Sequence, residues 1–383
     1  MTMPETYWER RAEFTVIKHE LLKRYLGKWL PICSSKFRLV IFIDGFAGRG
    51  KHGSGELGSS ARAVKILRNH PLIKHFNRVL FFFVELNADN WKNLCTTIQE
   101  LVPEADADGS QQDYLVLKWK NPETECHIVR EDFCVFFDRI LEQLEELQNQ
   151  TGTIVPTLAF IDPYGFKGVK MESIQRFLRL RGAEAIITFM TQELVRWLNS
   201  KPHHKALSQF FGLEVDEIAT TCDTISNDEE KDERLAELYY RQLCNVATYV
   251  LPFKMRKRTG RERYRVWFVT NHPAGFKAMK EVLWSVDPSG EFEYWQGKKE
   301  QKLLFCKDAP NLSPLRELIE HKLKCQCYRS GKLKQYVEEK TFFLVKHLTE
   351  VLRKLEDENL IKVTNRSRAK TYPDDALIEW LQT

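Results

Sequence analysis

Short apolar runs alternate with amphipathic segments along the first two-thirds of the chain. The chain opens with large apolar residues at helical spacing, which predict one buried helix face: Phe14, Ile17, Leu21, Tyr25 and Trp29. Largely apolar runs of strand length follow at 37–43, 79–84, 127–129, 157–161 and 185–189. Runs without polar alternation are typical of strands buried on both faces, as in a parallel sheet.

Helical patterns separate these strands at 61–69, 91–102 and 134–148. Residues 45–60 are rich in glycine and serine and predict a loop, and the polar residues 106–120 predict an irregular excursion. Buried strands alternating with helices predict a mostly parallel, doubly wound, Rossmann-like α/β sheet. Ligands in such sheets bind beyond the carboxyl ends of the strands, so the candidate chemistry should lie there.

The later chain predicts an insertion and a second domain. Strands at 263–270 and 291–295 return to the sheet, so a domain of residues 1–305 carries a helical and basic insertion at about 193–265. From residue 313 the pattern changes, with a Ser-Pro helix start, helices, and strands at 361–364 and 370–372 around a basic turn. This order predicts a winged helix-turn-helix domain of residues 310–383, a module that binds nucleic acid or docks proteins.

Composition is that of a globular protein, with 43% hydrophobic and 29% charged residues. No run approaches the roughly 18 apolar residues that a membrane helix needs, and no apolar leader opens the chain, so we expect a cytoplasmic protein. The nine cysteines contain no CxxC pair and predict free thiols rather than a metal site. The net charge of +5 is small, so the location of the cations is more informative than their total.

The loop after the first buried strand is the strongest signal of chemistry. Residues 44–50 read Asp-Gly-Phe-Ala-Gly-Arg-Gly, and such glycines let the backbone approach a ligand closely. A phosphate loop needs Ser or Thr where this chain has His52, and a dinucleotide loop needs another glycine spacing. The pattern resembles the first motif of amino-methylating S-adenosylmethionine (SAM) methyltransferases. A purely structural turn is the remaining interpretation.

Two further strand ends carry acids. Glu85 follows the second buried strand, where a carboxylate can accept both ribose hydroxyls of a cofactor. Asp132 follows the third strand and resembles the acid that binds the adenine amino group in many methyltransferases, although Glu131 replaces a glycine. Taken singly, each acid could also be a solvated loop residue. The residues predicted to bind SAM are Asp44, Gly45, Phe46, Ala47, Gly48, Gly50, Glu85, Asp132 and Phe133.

The fourth buried strand ends in Asp162, Pro163 and Tyr164. This segment resembles the Asp/Asn-Pro-Pro-Tyr/Phe motif of enzymes that methylate exocyclic or amide nitrogens. The resemblance implies that Asp162 accepts hydrogen bonds from the target amino group and that Tyr164 stacks on the target base. Positioning the nitrogen for in-line attack is then the main catalytic work. The second proline of the motif is missing, so an ordinary turn after a buried strand is the alternative.

Blocks at 19–29, 43–48, 53–59, 160–165 and 270–288 occur in the order found in one family. On these blocks the chain resembles the three-Cys-motif partner (TcmP) family, over roughly residues 14 to 300. The resemblance implies a bacterial or phage-linked protein. It also implies a partner that carries a three-cysteine, radical-SAM-like motif, and it requires no metal in this chain.

Basic residues gather in two late segments, around a predicted hairpin turn at Gly260 and in the predicted winged helix. Cations neutralise phosphates, so these segments predict contacts with nucleic acid, although a solvated hairpin is the alternative for the first. The candidate contacts are Arg256, Lys257, Arg258, Arg261, Lys346, Arg353, Arg366, Arg368 and Lys370.

Three functions fit these patterns. The leading hypothesis is a SAM-dependent methyltransferase that acts on nucleic acid, DNA or RNA, perhaps at an exocyclic amino group and together with the three-cysteine partner. The second is a non-catalytic scaffold that recruits that partner to nucleic acid through a degenerate methyltransferase fold. The third is a nucleotide-hydrolysing protein that uses residues 45–51, which His52 disfavours.

Overall fold

The computed structural model describes residues 5–52, 55–257, 259–296 and 310–381. Arg258 of the predicted interface, and Gly53 and Ser54 of the family blocks, lie outside these ranges. The chain divides into two compact units, Met1–Gly275 with Glu293–Leu304 and Phe276–Phe292 with Phe305–Thr383. Residues 276–292, which the sequence pattern placed in the first domain, therefore group with the second unit.

The first unit is mixed α/β and is built on one large sheet. Its strands are β1 (Leu39–Asp44), β2 (Arg78–Val84), β3 (Asp106–Gln111), β4 (Tyr114–Trp119), β5 (Thr124–Val129), β6 (Thr157–Ile161), β7 (Ala183–Phe189), β8 (Tyr249–Arg256), β9 (Glu262–Thr270) and β10 (Glu293–Trp295). The strand order is β10-β8-β9-β7-β6-β1-β2-β5-β4-β3. The buried strands predicted from largely apolar runs form the middle of this sheet.

The middle strands β5, β2, β1, β6 and β7 run parallel to one another. Strand β9 is antiparallel to β7, and β8 is antiparallel to β9, so β8 points the same way as the middle strands. The chain builds the sheet outward from β1 to β2 and β5, then crosses to β6 and β7 on the other side of β1. The strand order thus reverses between β1 and β6, and a ligand site is expected beyond their carboxyl ends.

Helices cover both faces of this sheet, as the doubly wound pattern predicts. Their bounds are α1 (Glu5–Ser34), α2 (Ser59–Arg68), α3 (Ala88–Leu101), α4 (Phe133–Thr151), α5 (Met171–Arg179), α6 (Thr191–Trp197), α7 (His204–Phe211), α8 (Val215–Thr220) and α9 (Asp228–Cys244). Helix α10 (Pro273–Val286) begins in the first unit and continues into the second. The main core joins β6 and β7, which are buried at every position, to the apolar faces of α4, α5, α7 and α9.

Residues 106–120 form a β-hairpin rather than an irregular excursion. Strands β3 and β4 pair antiparallel, and β4 pairs antiparallel with β5, which extends the sheet at one edge. The apolar residues Leu115, Val116 and Leu117 of β4 are buried. Because polar residues surround this short apolar run, the sequence pattern did not predict a strand here. The stability of β4 depends on its pairing with β5.

The predicted insertion at about 193–265 is helical only up to α9. Its last part is β8 and the start of β9, and both strands belong to the main sheet. Their connection is a hairpin, with Gly260 at φ +94° in the turn, as the basic segment predicted. Lysines and arginines on β8 disguised a strand whose alternate residues Phe253 and Met255 are buried.

The second unit contains the later part of α10 and a small α/β fold. Its further elements are α11 (Ser313–Cys325), β11 (Tyr328–Arg329), α12 (Ser330–Lys340), α13 (Val345–Asp357), β12 (Ile361–Thr364) and β13 (Leu377–Trp380). The strands form an antiparallel sheet in the order β11-β13-β12. Leu348, Val351, Leu352 and Leu355 form one apolar face of α13 and are buried in the core of this unit.

The partner of β12 is β13, and not residues 370–372 as the sequence pattern predicted. Lys370 has φ +55°, which interrupts an extended strand at that position. Tyr372 is buried in the core of the second unit, which explains the apolar signal that resembled a strand. Over the residues that the structure describes, no helix is long and apolar enough to cross a membrane.

Candidate functional site

The candidate site lies where the strand order of the first unit reverses. Strand β1 ends at Asp44 and β6 ends beside Asp162, and the two strands are adjacent and parallel. The N–H of Gly45 donates to the carbonyl of Phe160 at 2.9 Å, so the pairing continues into the glycine loop. The glycine loop and the Asp-Pro-Tyr segment therefore leave the same edge of the sheet side by side.

The glycine loop has the backbone that its sequence predicts. Gly48 has φ +64° and Gly50 has φ +74°, a region that glycine enters at little cost. A Cβ at Gly50 would lie 2.9 Å from the side chain of Leu94, so this glycine also allows close packing on α3. A Cβ at Gly48 would meet no described atom within 4 Å, so the backbone at this position is open to a ligand.

Asp44 is fully buried at the base of the loop. One carboxylate oxygen accepts from the hydroxyl of Ser60 at 2.6 Å, and the other accepts from the N–H of Phe46 at 3.3 Å. Burial raises the pKa of Asp44 to about 6, and hydrogen bonds from Ser59 and Ser60 act in the opposite direction. Asp44, which the sequence predicts to bind SAM, thus ties β1 to the start of α2 and shapes the turn.

Two other residues predicted to bind the cofactor support the loop from below. Phe133 is buried, and a Cβ at Gly45 would lie 2.5 Å from its ring, so only glycine fits above it. Its ring packs against Phe46 at a centroid distance of 5.0 Å. Ala47 is buried, and its N–H donates to the carbonyl of Val84 at 2.9 Å, which anchors the loop to β2.

Glu85 stands at the carboxyl end of β2, half-buried, as the pattern of strand ends predicted. Its carboxylate accepts from the N–H of Gly48 at 2.9 Å and from the N–H of Asn87 at 2.7 Å. This carboxylate therefore connects the glycine loop to the start of α3. Each oxygen accepts one of these hydrogen bonds and has a second lone pair that can accept from a ligand hydroxyl.

Asp132 is the N-cap of α4. Its Oδ1 accepts from the N–H groups of Cys134 at 2.9 Å and Val135 at 3.4 Å, which satisfies the exposed end of the helix. Two apolar side chains near these acids are exposed, Leu86 by 64% and Val135 by 56%. Neither residue was predicted from the sequence, although an apolar residue directly after a strand-end acid is a signal that could have identified Leu86.

Asp162 pairs with a residue that the sequence analysis did not connect to it. Lys18, on the buried face of α1, donates to Oδ2 of Asp162, and its side chain is only 8% exposed. Oδ1 of Asp162 is buried and accepts no hydrogen bond from the described residues. An unpaired buried oxygen is costly, so this atom is a strong acceptor for a donor that a ligand would bring.

Pro163 is buried and Tyr164 is 79% exposed, so the turn after β6 presents one aromatic ring to the surface next to Asp162. Gly165 follows with φ +103°, which turns the chain sharply. Phe166 then returns into the core. The segment thus separates a buried carboxylate from an exposed aromatic ring within three residues.

The phosphate-loop interpretation does not fit the geometry. In a phosphate loop the helix follows directly after the Gly-Lys pair, so that its N-terminus faces the phosphates. Here Lys51 pairs with Leu57 in a short bridge, and α2 begins only at Ser59. The imidazole of His52 stacks 6.0 Å from buried His19, whose pKa burial lowers to about 2.

Cations of the basic hairpin have intramolecular partners. Acids on α9 and β10 accept from Arg256 and Arg261: Arg256 contacts Glu293 at 2.7 Å and Glu229 at 3.3 Å, and Arg261 contacts Asp228 at 3.3 Å and Asp232 at 3.4 Å. Lys257 donates to the side chain of Gln192 at 2.6 Å. The pairing neutralises much of the charge that the sequence segment carries.

Two of the five candidate contacts with nucleic acid in the second unit are also paired with acids. Both oxygens of Glu356 accept from Arg366, and Lys370 lies 2.5 Å from Asp357. The exposed residues Lys346, Arg353 and Arg368 have no carboxylate within 4 Å among the described residues. These three remain available for an external anion. No group of three or more potential metal ligands occurs in the described parts of the chain.

Comparisons with known proteins give distant structural resemblances. No family model matches the sequence, and no curated protein matches it. One similar solved structure is Trm1 from Pyrococcus horikoshii in complex with S-adenosyl-L-methionine. It has 12% identity and a TM-score of 0.35, and the match covers 70% of this chain and 58% of the Trm1 chain.

Another is a Legionella pneumophila protein of the DUF519 family. It has 10% identity and a TM-score of 0.39, with 72% of this chain and 92% of that one covered. This chain thus spans less than two-thirds of the Trm1 chain, and neither resemblance specifies what it binds.

Proposed function

We propose that the first unit is a SAM-dependent methyltransferase that acts on an exocyclic amino group of a nucleic acid. The observation that carries the proposal is the placement of the glycine loop and Asp162 at adjacent strand ends where the strand order reverses. The run β5-β2-β1-β6-β7-β9-β8, with β9 alone antiparallel, is the order of class I methyltransferases and supports the same conclusion.

The residues around the loop fit a nucleoside cofactor with a charged tail. The open backbone at Gly48 can lie against the tail, and the second lone pairs of Glu85 can accept from ribose hydroxyls. Leu86 and Val135 offer exposed apolar surface to a flat base. Asp44 acts on the cofactor indirectly, by holding the loop. When bound, SAM supplies an electrophilic methyl group.

The target side of the site is formed by Asp162 and Tyr164. Lys18 fixes one carboxylate oxygen of Asp162, so the other oxygen accepts an N–H of the target amine. This single hydrogen bond orients the nitrogen lone pair toward the methyl group, and orientation is a large part of such catalysis. The exposed ring of Tyr164 stacks on the target base beside it.

The second unit supplies nucleic-acid affinity in this proposal. Its order of helices and strands, α11-β11-α12-α13-β12-β13, supports a winged helix, and Lys346 and Arg353 project from its third helix. Arg368 lies in the wing between β12 and β13. The three-cysteine, radical-SAM-like partner belongs to the proposal on the strength of the TcmP resemblance alone.

Calorimetry with SAM and with ATP tests the cofactor, and transfer of labelled methyl to nucleic acid tests the reaction, with the partner present and absent. We expect binding of SAM and no binding of ATP. A chain that binds ATP and not SAM would refute the cofactor assignment. A chain that binds SAM and labels no DNA or RNA under either condition would refute the reaction.

A non-catalytic scaffold is the second candidate. The observation in its favour is the Lys18 contact, because it occupies one of the two oxygens with which the Asp-Pro-Tyr segment would hold a target amine. The missing second proline of the motif points the same way. Retention of nucleic-acid and partner binding by a chain that transfers no methyl group is the outcome expected of the scaffold.

A further inference from the structure

A strongly basic surface lies next to the Asp162 turn, in a part of the chain to which the sequence analysis assigned no function. Residues 163–171 and 194–213 contain no aspartate or glutamate. They carry four exposed cations, which are Lys167, Arg196, Lys201 and Lys205. Among the described residues none of these four has a carboxylate within 4 Å, in contrast to the cations of the β8–β9 hairpin.

A row of stacked rings fixes this surface to the turn that follows β6. Phe166, four residues after Asp162, packs edge-on against His203 at 6.3 Å. His203 stacks on Trp197 at 4.1 Å, and the guanidinium of Arg196 lies 4.9 Å from the centre of the Trp197 ring. The basic surface and the Asp162 turn are thus held together by direct contacts from Phe166 to Arg196.

The row is itself held in place by polar contacts. Ser200 Oγ lies 2.9 Å from Nδ1 of His203, and the indole N–H of Trp197 donates to Glu193 at 3.2 Å. Lys201 and Lys205 follow on the 3-10 turn and on α7, four residues apart. Both lysines are exposed, and their positions in one short segment let both ammonium groups approach the same strand of phosphates.

We propose that Lys167, Arg196, Lys201 and Lys205 bind the backbone of a single-stranded segment of the nucleic acid and lead its target base to Tyr164 and Asp162. This proposal rests on the proposed function and names its substrate form. An exocyclic amino group that is paired inside a duplex points into the helix, so the base must be unpaired or extruded before Asp162 can hold its amino group. An exposed aromatic ring beside a row of cations is the combination that binds unstacked bases and phosphates.

The test uses the full-length chain and fluorescein-labelled oligonucleotides of about 16 nucleotides, a length at the upper end of single-strand sites. Single-stranded RNA, single-stranded DNA and a DNA duplex are the three probes. Each is titrated with the protein at several NaCl concentrations, and binding is followed by fluorescence anisotropy. Lys201→Ala/Lys205→Ala is compared with Lys65→Ala/Lys92→Ala. The control removes two exposed lysines from α2 and α3, in the other half of the doubly wound sheet.

We expect single strands to bind more tightly than the duplex. The comparison of RNA with DNA then shows which of the two nucleic acids this surface prefers. Losing two phosphate contacts should lower the slope of log K against log salt by about 1.4, since a single strand contributes about 0.7 per contact. The control variant should keep the wild-type slope. Circular dichroism should show unchanged melting for both variants, because all four lysines are exposed.

Equal slopes and affinities in Lys201→Ala/Lys205→Ala and in the control would overturn the inference, and so would preference for the duplex. The proposed function fails differently. If the wild type binds single strands through these lysines but transfers no methyl group, the interface is correct and the reaction is not. If it transfers methyl groups equally well in both double variants, the reaction is correct and the interface is not.

Discussion

Glu85 joins the glycine loop, the end of β2 and the start of α3 through one carboxylate. If its free lone pairs accept both ribose hydroxyls, Glu85→Ala removes two charge-assisted hydrogen bonds, each worth about 1.5 to 3 kcal/mol. We expect the affinity for SAM to fall at least about tenfold, as measured by calorimetry. Glu100→Ala, which changes an exposed acid near the end of α3, is the control and should bind as wild type. Unchanged affinity in a folded Glu85→Ala would exclude Glu85 from the site.

Asp162 faces the target rather than the cofactor in the proposed site, so its loss should affect methyl transfer and not SAM affinity. We expect Asp162→Ala to lower the transfer of labelled methyl on the order of a hundredfold, because orientation contributes several kcal/mol to the barrier. Tyr164→Ala should act in the same direction but less, since stacking on a base is worth about 1 to 3 kcal/mol.

The Lys18 contact determines how this experiment is done. Asp162→Ala alone leaves a buried ammonium without its partner, which can unfold the protein. Lys18→Met/Asp162→Ala removes both charges, and Lys23→Met, at an exposed position of the same helix, is its control. Transfer by the double variant at the wild-type rate would show that Asp162 does not orient the target.

At the scale of residues, sequence reasoning located acids at strand ends because parallel strands deliver their last residues to one edge. It did not reveal which of those acids a ligand could reach. Asp44 and Glu85 each follow an apolar strand, yet one is fully buried and the other is half-exposed. The difference depends on Ser60, and the pairing of Asp162 depends on Lys18, 144 residues away.

Among the elements, α10 contributes the central anchor of the second unit. Lys280 is fully buried, and its ammonium donates to the carbonyls of Val337, Glu338, Thr341 and Phe343 at 2.6 to 3.1 Å. These carbonyls belong to the end of α12 and the turn after it, where helices leave carbonyls unsatisfied. Burial lowers the pKa of Lys280 to about 8, so the charged form still predominates at neutral pH.

Lys280→Met should therefore destabilise the second unit by at least about 3 kcal/mol, because several buried carbonyls lose a charged donor together. In calorimetric unfolding of the full chain, the transition of the second unit should occur at a lower temperature in the variant than in the wild type. The matched control is Lys277→Met, one turn earlier, where a half-exposed lysine pairs with Glu338 and the expected loss is below about 1 kcal/mol. Equal unfolding of the two variants would show that Lys280 does not anchor this unit.

The contacts of Lys280 also show why the boundary between the two units was harder to predict than the helices and strands themselves. Buried strands such as β6 were predicted within a residue because an uninterrupted apolar run has only one interpretation between two loops. The α10 segment is amphipathic and could belong to either unit by pattern alone. Its assignment depends on Lys280 and on Trp284, whose indole N–H donates to Phe342 at 2.8 Å. The partners of the basic hairpin were not predicted from the sequence for a similar reason, because the acids that pair with Arg256 and Arg261 lie on distant parts of the chain.

For the molecule as a whole, buried ionisable groups make stability depend on pH in opposing ways. Glu184 lies near the amino end of β7, whereas the candidate site lies at the carboxyl ends of the strands. Its carboxylate accepts from Tyr25 at 2.5 Å and from Thr270 at 2.8 Å. Burial raises its pKa to about 7, although hydrogen bonds from Tyr25, Thr270 and Trp29 act in the opposite direction. His19 is buried as well, and burial lowers its pKa to about 2.

Whether stability rises or falls with pH depends, for each group, on whether the folded or the unfolded chain holds the proton. Between about pH 4.5 and 7 the folded chain holds a proton on Glu184 and the unfolded chain does not, so stability falls as pH rises through this range. For His19 the unfolded chain holds the proton below about pH 6.5 and the folded chain does not, so stability falls as pH decreases. The two trends overlap, and a variant is needed to separate them.

Glu184→Gln separates them because it keeps a buried side chain of the same shape and removes one titration. From pH 5 to pH 8 the wild type should lose roughly 2.5 kcal/mol of unfolding free energy at Glu184, taking about 1.36 kcal/mol per pKa unit, and the variant should not. Urea unfolding at both pH values measures the difference. Glu172→Gln, at an exposed position in the first turn of α5, should behave as wild type. If Glu184→Gln shows the same change from pH 5 to pH 8 as the wild type, then Glu184 is already ionised in the folded protein at pH 5, and the Tyr25 and Thr270 hydrogen bonds outweigh its burial.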